Sequence, residues 1–204
     1  LQNASKKRNL NNLVIPLFVS RESTWMASLS QWDREACDDL MAKIGFTCSD
    51  VIRILGVSLP PKFNKQFLNT KTKDLKKSQS DELMECLLSE KTKLKVNNKI
   101  IEKRNALITY LLELEGDFRN SVTVDIGFRG TINSSIEKAL SLDQINHKLI
   151  HLLAFGSDSI VNHKFHNIDI RCFLSNPNLN QDYRKIIHRS LYPLEQLFVG
   201  TNGS

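Results

Sequence analysis

Val122-Thr123-Val124-Asp125-Ile126-Gly127-Phe128-Arg129-Gly130-Thr131 is the stretch on which the reading of this chain turns. A β-branched apolar run ends in an aspartate, two glycines and a threonine follow, and an amphipathic run extends from Ile132 to Leu142. That order predicts a strand, a glycine turn and a helix. The first turn of such a helix presents backbone N–H groups without intrahelical partners and a positive dipole end, and phosphates bind there. Gly127 and Gly130 permit positive φ or close approach of a ligand. Thr131 is placed to cap the helix or donate to a phosphate. Arg129 offers a planar fork of donors to phosphate or carboxylate. Asp125 stands where the strand ends.

Working outward, Lys148–Phe155 and Ile168–Leu174 are further apolar runs, and Asp182–Val199 reads as a final helix. Buried runs separated by helices predict an α/β fold, a mostly parallel sheet with flanking helices, Rossmann-like or phosphoribosyltransferase-like, with ligand at the carboxyl ends of the strands. Upstream, Val14–Val19 reads as a short strand, with Pro16 arguing for an edge. Helices are expected over Trp25–Leu29, Asp33–Ile44, Asp50–Leu55 (capped by Ser49), Asp81–Leu88 (capped by Ser80) and Asn97–Glu115, the last closed by Gly116. The expected organisation is a polar leader over 1–12 and a single α/β domain over 13–204, with a helical, basic insertion at about 57–118. A first residue other than Met and an abrupt end at Asn202-Gly203-Ser204 make the chain read as a piece of a longer protein.

With 204 residues, 41% hydrophobic and 25% charged, the chain has the length for a real core. No apolar run is long enough to span a bilayer, and the basic N-terminus has no apolar stretch of a signal peptide behind it. Cys37, Cys48, Cys86 and Cys172 are scattered and form no CxxC, which predicts free thiols in a reducing cytoplasm. The net charge of +6 is local: residues 62–104 hold eleven lysines and one arginine against six acids. This segment reads as a solvated helical face, or as a surface for an anionic membrane or a phosphate-rich ligand. Nucleic acid is not expected, because the segment has few aromatics and no nucleic-acid motif.

Two more constellations are candidates. Ser20-Arg21-Glu22 follows the predicted strand at 14–19, so that Arg21 and Arg129 would converge on one anion if both strands share a sheet; an Arg21–Glu22 surface pair is the plainer reading. Glu195, on the last predicted helix, is a candidate base or holder of a sugar hydroxyl. His147/His151 and His163/His166 have spacings at which two rings share a metal on a helix, but neither pair has an acidic or cysteine partner nearby in sequence, and no metal site is predicted. The central loop has neither G-x-G-x-x-G nor G-x-x-x-x-G-K-[ST].

These segments together resemble a family. The second domain of haloacid-dehalogenase (HAD) superfamily hydrolase-like proteins from bacterial capsule and O-antigen loci shows a strand ending in V-S-R, then D-I-G-W-x-G-T-x-Q, then E-L-L and a closing G-S. The chain matches with Phe18-Val19-Ser20-Arg21, with Asp125-Ile126-Gly127-Phe128-Arg129-Gly130-Thr131-Ile132-Asn133, and with Glu195-Gln196-Leu197-Phe198 and Gly203-Ser204. Phe128 replaces the tryptophan and Asn133 the glutamine. The HAD nucleophile motif needs D-x-D, and Gly127 holds the second place, so the chain is not expected to act as the phosphatase. The resemblance implies polysaccharide assembly: a glycosyl or phosphoribosyl transferase domain fused, in the full-length protein, to a phosphatase domain. It implies Asp125 and Glu195 as catalytic residues, and Ser20, Arg21, Gly127, Arg129, Gly130 and Thr131 as the phosphate and substrate site. A phosphorylated sugar donor, Mg²⁺ carried by its pyrophosphate, and a glycan or lipid-linked glycan acceptor complete the expectation, with a cytoplasmic location at the inner face of the membrane. A glycan-binding or scaffolding module and a HAD-like hydrolase are the alternatives.

Overall fold

The computed structural model describes residues 15, 17–43, 45–115, 121–127, 129–158 and 160–175. The chain divides into two compact units, Leu1–Leu114 and Glu115–Ser204. The expected division was one domain with a helical insertion starting near residue 57. Instead, helices on both sides of that point pack in one core.

The first unit is helical: α1 Arg21–Ala27, α2 Arg34–Met41, α3 Cys48–Leu55, α4 Lys65–Leu68, a 3₁₀ turn at Thr72–Asp74, α5 Lys77–Leu87 and α6 Glu90–Glu115. Its core gathers Met26, Trp32, Leu40, Ile54, Leu83 and Ile100, one or more from nearly every helix. Buried Trp32 is tied at both ends: its indole N–H donates to the Leu87 carbonyl (2.9 Å), and its backbone N–H donates to Asn97 Oδ1 (2.6 Å). Two cations of the basic stretch turn inward to close helices. Lys99 donates to the Ile54 carbonyl at the end of α3 (2.6 Å), and Arg104 donates from Nε to the Ala27 carbonyl (3.0 Å) and from Nη2 to that of Leu29. Cations at helix C-termini satisfy orphan carbonyls and oppose the dipole. Burial pushes the Cys37 thiol up to about 12, which leaves it inert.

The strand expected at 14–19 does not form over its described residues. Residues 17–20 have no regular structure, and the Phe18 N–H donates to the Tyr110 hydroxyl (3.0 Å). The chain then enters α1, because Ser20 and Ser23 cap one another's backbone across its first turn.

The second unit is α/β. Strands β1 Val122–Asp125, β2 Ile150–Phe155 and β3 Ile170–Ser175 form a parallel sheet in the order β1-β2-β3. Helix α7, Thr131–Leu142, joins β1 to β2, and the short α8, Ile160–Phe165, joins β2 to β3. Leu153, Ile160, Ile168 and Ile170 form the apolar cluster of this unit. An α/β fold with a parallel sheet and flanking helices is thus the architecture. Residues 163–166 form the end of α8 and the turn after it. The helix expected at Asp182–Val199 lies outside the described residues. Among the described residues, no helix is long and apolar enough to cross a membrane.

Candidate functional site

The β1–α7 loop lies at the carboxyl end of β1, where open parallel sheets bind ligands. Asp125 closes the strand, in register with Leu153 of β2. Its half-buried carboxylate folds back so that Oδ1 accepts the Gly127 N–H (3.1 Å). A Cβ on Gly127 would stand 2.8 Å from Asp125 Oδ2, so only glycine lets the aspartate take this position. Gly130 is buried with φ +61°, and a Cβ there would meet Ile170 Cδ1 at 2.9 Å. Two separate constraints, a left-handed backbone and the closeness of β3, therefore select glycine at 130.

Gly130 is the N-cap of α7, and having no side chain it leaves the first turn without a side-chain cap. Thr131, expected to cap the helix, is instead its first residue and is exposed. The first intrahelical bond runs from the Ser134 N–H to the Gly130 carbonyl (2.9 Å). The amides ahead of it have no helical acceptor. The Arg129 side chain is exposed, while its carbonyl accepts from His163 Nε2 of α8 (2.7 Å). A carbonyl only accepts, so that ring carries its proton on Nε2.

Beneath the loop lies a polar cluster that sequence reading missed. Thr123, two residues before Asp125 and on the same side of β1, lies 2.6 Å from His151 Nδ1 through its hydroxyl. Asn133, in the first turn of α7, donates from Nδ2 to Thr123 Oγ1 (3.0 Å) and to the same ring nitrogen (3.1 Å). His151 Nε2 meets Glu137 Oε1 at 3.0 Å, and His147 Nε2 meets Glu137 Oε2 at 2.7 Å. His151 is fully buried, and Glu137 and His147 expose only 14% and 12% of their side chains. Burial pushes the Glu137 carboxyl up. Hydrogen bonds from His151 and His147, with their charge, push it down further, and the net shift is downward.

The proton positions follow from the partners. With Glu137 ionised, both rings donate from Nε2. His151 Nδ1 is then free to accept from Thr123 and Asn133. His147 Nδ1 faces the Ile145 carbonyl at 2.7 Å, so the ring is held between that carbonyl and Glu137. Asn133 Oδ1 is buried without a partner. The two histidines, read as a pair spaced for a helix, lie in the approach to β2 and on β2 itself, and their acidic partner stands ten and fourteen residues upstream on α7. Among the described residues, no group of three His, Cys, Asp or Glu side chains is arranged to hold a metal ion.

Of the remaining predicted residues, Ser20 and Arg21 belong to the first unit. Ser20 is the N-cap of α1; its Oγ accepts the Ser23 N–H (3.1 Å), and Ser23 Oγ accepts the Ser20 N–H (3.2 Å). Arg21 is the exposed first residue of α1, and its neighbour Glu22 pairs with Arg53 of α3 (3.2 Å). Glu195 lies outside the described residues. No family model, curated protein or solved structure gives a significant match to the chain.

Proposed function

We propose that the chain binds a phosphorylated sugar at Asp125–Thr131 and is the sugar-phosphate or glycosyl transferase domain of a bacterial surface-polysaccharide pathway, with a phosphoribosyl donor as the specific form. The observation that carries the reading is the loop: a strand-end carboxylate, then a glycine at φ +61° heading a helix whose first turn no side chain caps. Amides and dipole there suit a phosphate, and Asp125 Oδ2 suits sugar hydroxyls. The backbone amides of Gly130 and Thr131 would hold the phosphate, with Gly127 letting Asp125 fold back beside them. Arg129 would neutralise the leaving pyrophosphate, a preorganised electrostatic role. Glu195 enters through the family resemblance, as base or orienter of the glycan acceptor. Mg²⁺ would arrive on the pyrophosphate.

Calorimetric titration with phosphoribosyl pyrophosphate, with and without Mg²⁺, tests this. The expected result is saturable binding that Asp125→Ala and Arg129→Ala each weaken about tenfold or more, the scale of a lost charge-assisted hydrogen bond. Absence of heat at millimolar donor sinks the donor assignment. A non-catalytic glycan-binding module is the second reading, favoured by the Asp125–Gly127 bond, which a tight turn makes for its own sake. It predicts that Asp125→Ala leaves polymer synthesis intact. A HAD-like hydrolase is the weakest reading, since Gly127 occupies the place of the second aspartate.

A further inference from the structure

Helix α6 of the first unit carries a second seam besides the one it buries. Leu94, Asn98, Ile101, Asn105, Ile108 and Leu112 follow one another at alternating spacings of four and three residues. That is the spacing of the a and d positions of a coiled coil, with the asparagines at a. Ile108 is buried. The other five are exposed, Leu94 at 67%, Ile101 at 52% and Leu112 at 39%. At ~100° per residue these five fall within roughly 60° of arc and extend over ~27 Å of the axis. The far side of the helix supplies Val96 and Ile100 to the unit's own core, and Leu107 and Leu111 on that side are buried as well. The helix is thus apolar on two sides, and a singly packed surface helix needs only one.

The polar residues of the seam say what it fits. Against an unrelated apolar groove, Asn98 and Asn105 would strand their amides. Against an antiparallel copy that aligns Leu94 with Leu112, Asn98 faces Ile108 and Asn105 faces Ile101. In a parallel, in-register copy like meets like: exposed Leu94, Ile101 and Leu112 pack on their counterparts, and each amide meets an amide that both donates and accepts. The charges agree with that orientation. Glu90 and Lys95 flank the seam on opposite sides, five residues apart, so each lies beside its opposite on a parallel partner. Glu90 pairs with Lys93 of its own helix and is still 91% exposed. The geometry points to α6 as a self-association surface, pairing in parallel with α6 of a second copy of this chain about a two-fold axis along the helices. The contact is isologous, as closed dimers require. An anionic membrane fits less well, because Glu90 and Glu102 offset Lys91 and Lys95 along the seam and leave no net charge to draw it. One short helix pair with two polar layers is at the small end of stable interfaces, so the dimer is concentration-dependent.

Sedimentation-equilibrium measurements on the whole chain test this across a wide concentration range. Reversible dimerisation is expected, weakened about tenfold or more by Ile101→Glu, which sets two carboxylates against each other in the seam. Lys95→Glu or Glu90→Lys alone weakens it several-fold, and the double charge swap Lys95→Glu/Glu90→Lys restores it. Asn105→Leu tightens association and admits species larger than a dimer, because the amide gives up stability for a fixed register. Asn98→Cys reads the orientation: mild oxidation is expected to join residue 98 of one copy to residue 98 of the other. All these positions are exposed, so far-UV circular dichroism is expected to be unchanged. A chain that stays monomeric throughout, a dimer indifferent to Ile101→Glu, a double swap without rescue, or no link between the residues at 98 overturns the proposal. So does binding of a monomer to phosphatidylserine-containing vesicles that Ile101→Glu abolishes, which assigns the seam to lipid.

Discussion

At Gly130 the backbone has a φ of +61° with the β3 side chain of Ile170 pressed close. Gly130→Ala must bear both the left-handed strain and the clash. A loss of about 1–3 kcal/mol is expected, read as a lower urea midpoint by far-UV circular dichroism with an unchanged slope; an unchanged midpoint would mean the loop relaxes freely. Glu137 gives a pH-dependent counterpart. Its carboxyl titrates below the ordinary 4.5 in the folded unit, so between the two values the unfolded chain binds more protons. The stabilisation is complete above the ordinary value and is lost as pH falls through the lowered one. Glu137→Gln is expected to cost about 3 kcal/mol at neutral pH, the scale for stranding one member of a buried pair, and to flatten this acid slope in urea titrations at stepped pH. Asp125, Gly127 and Gly130 were legible in the sequence because strand, turn and helix start are local patterns. Glu137 was not. Its partners are distant along the chain and meet it only once α7 packs on β2.

Helix α3 starts at Cys48 because Thr47 and Asp50 form a reciprocal capping box: Thr47 Oγ1 accepts the Asp50 N–H (3.2 Å), and Asp50 Oδ2 accepts the Thr47 N–H (2.9 Å). Ser49, the expected cap, is inside the helix and exposed. Thr47→Ala is therefore expected to lose about 1 kcal/mol and Ser49→Ala close to nothing. Tryptophan fluorescence during chemical unfolding reads this directly, because Trp25 and Trp32 belong to the same unit; equal losses from both substitutions would refute the assignment. The same motif starts α1: Ser20-Arg21-Glu22-Ser23 follows an apolar run, but its serine spacing is that of a helix start. Helix α6 begins at Glu90, well before the expected Asn97, because its early turns are Lys-rich and hide their period, although Val96 and Ile100 are buried. β1 is legible as a strand but not in its burial: Val122 and Val124 are 52% and 53% exposed, while Thr123 faces the polar cluster.

The net charge of +6 is carried by residues 62–104, but the folded molecule does not display all of it. Lys99 and Arg104 are spent on helix ends, Lys62 pairs with Glu82, and Lys93 pairs with Glu90. What stands exposed together is Lys71, Lys73, Lys76 and Lys77, with Asp74 among them, around the 3₁₀ turn and the start of α5. The first turn of α5 has no acidic residue, so its dipole adds to the lysines where most helices oppose it. Composition could count these charges, but only the packing of α3 and α6 separates the inward cations from the displayed ones. If the chain works on a lipid-linked glycan, this patch is where an anionic bilayer would hold it. Each lysine contributes about 1 kcal/mol near such a surface, so replacing all four with alanine should lower partitioning onto phosphatidylserine-containing vesicles by roughly a hundredfold or more. Wild-type binding should fade as salt approaches ~1 M, where the Debye length shrinks to ~3 Å. Co-sedimentation with neutral and anionic vesicles distinguishes the cases: equal binding to both, or a quadruple variant that binds as the wild type does, would reduce the patch to a solvated face. Ile101→Glu should lower the monomer's binding far less than the quadruple variant does, because it adds one negative charge where that variant removes four positive ones.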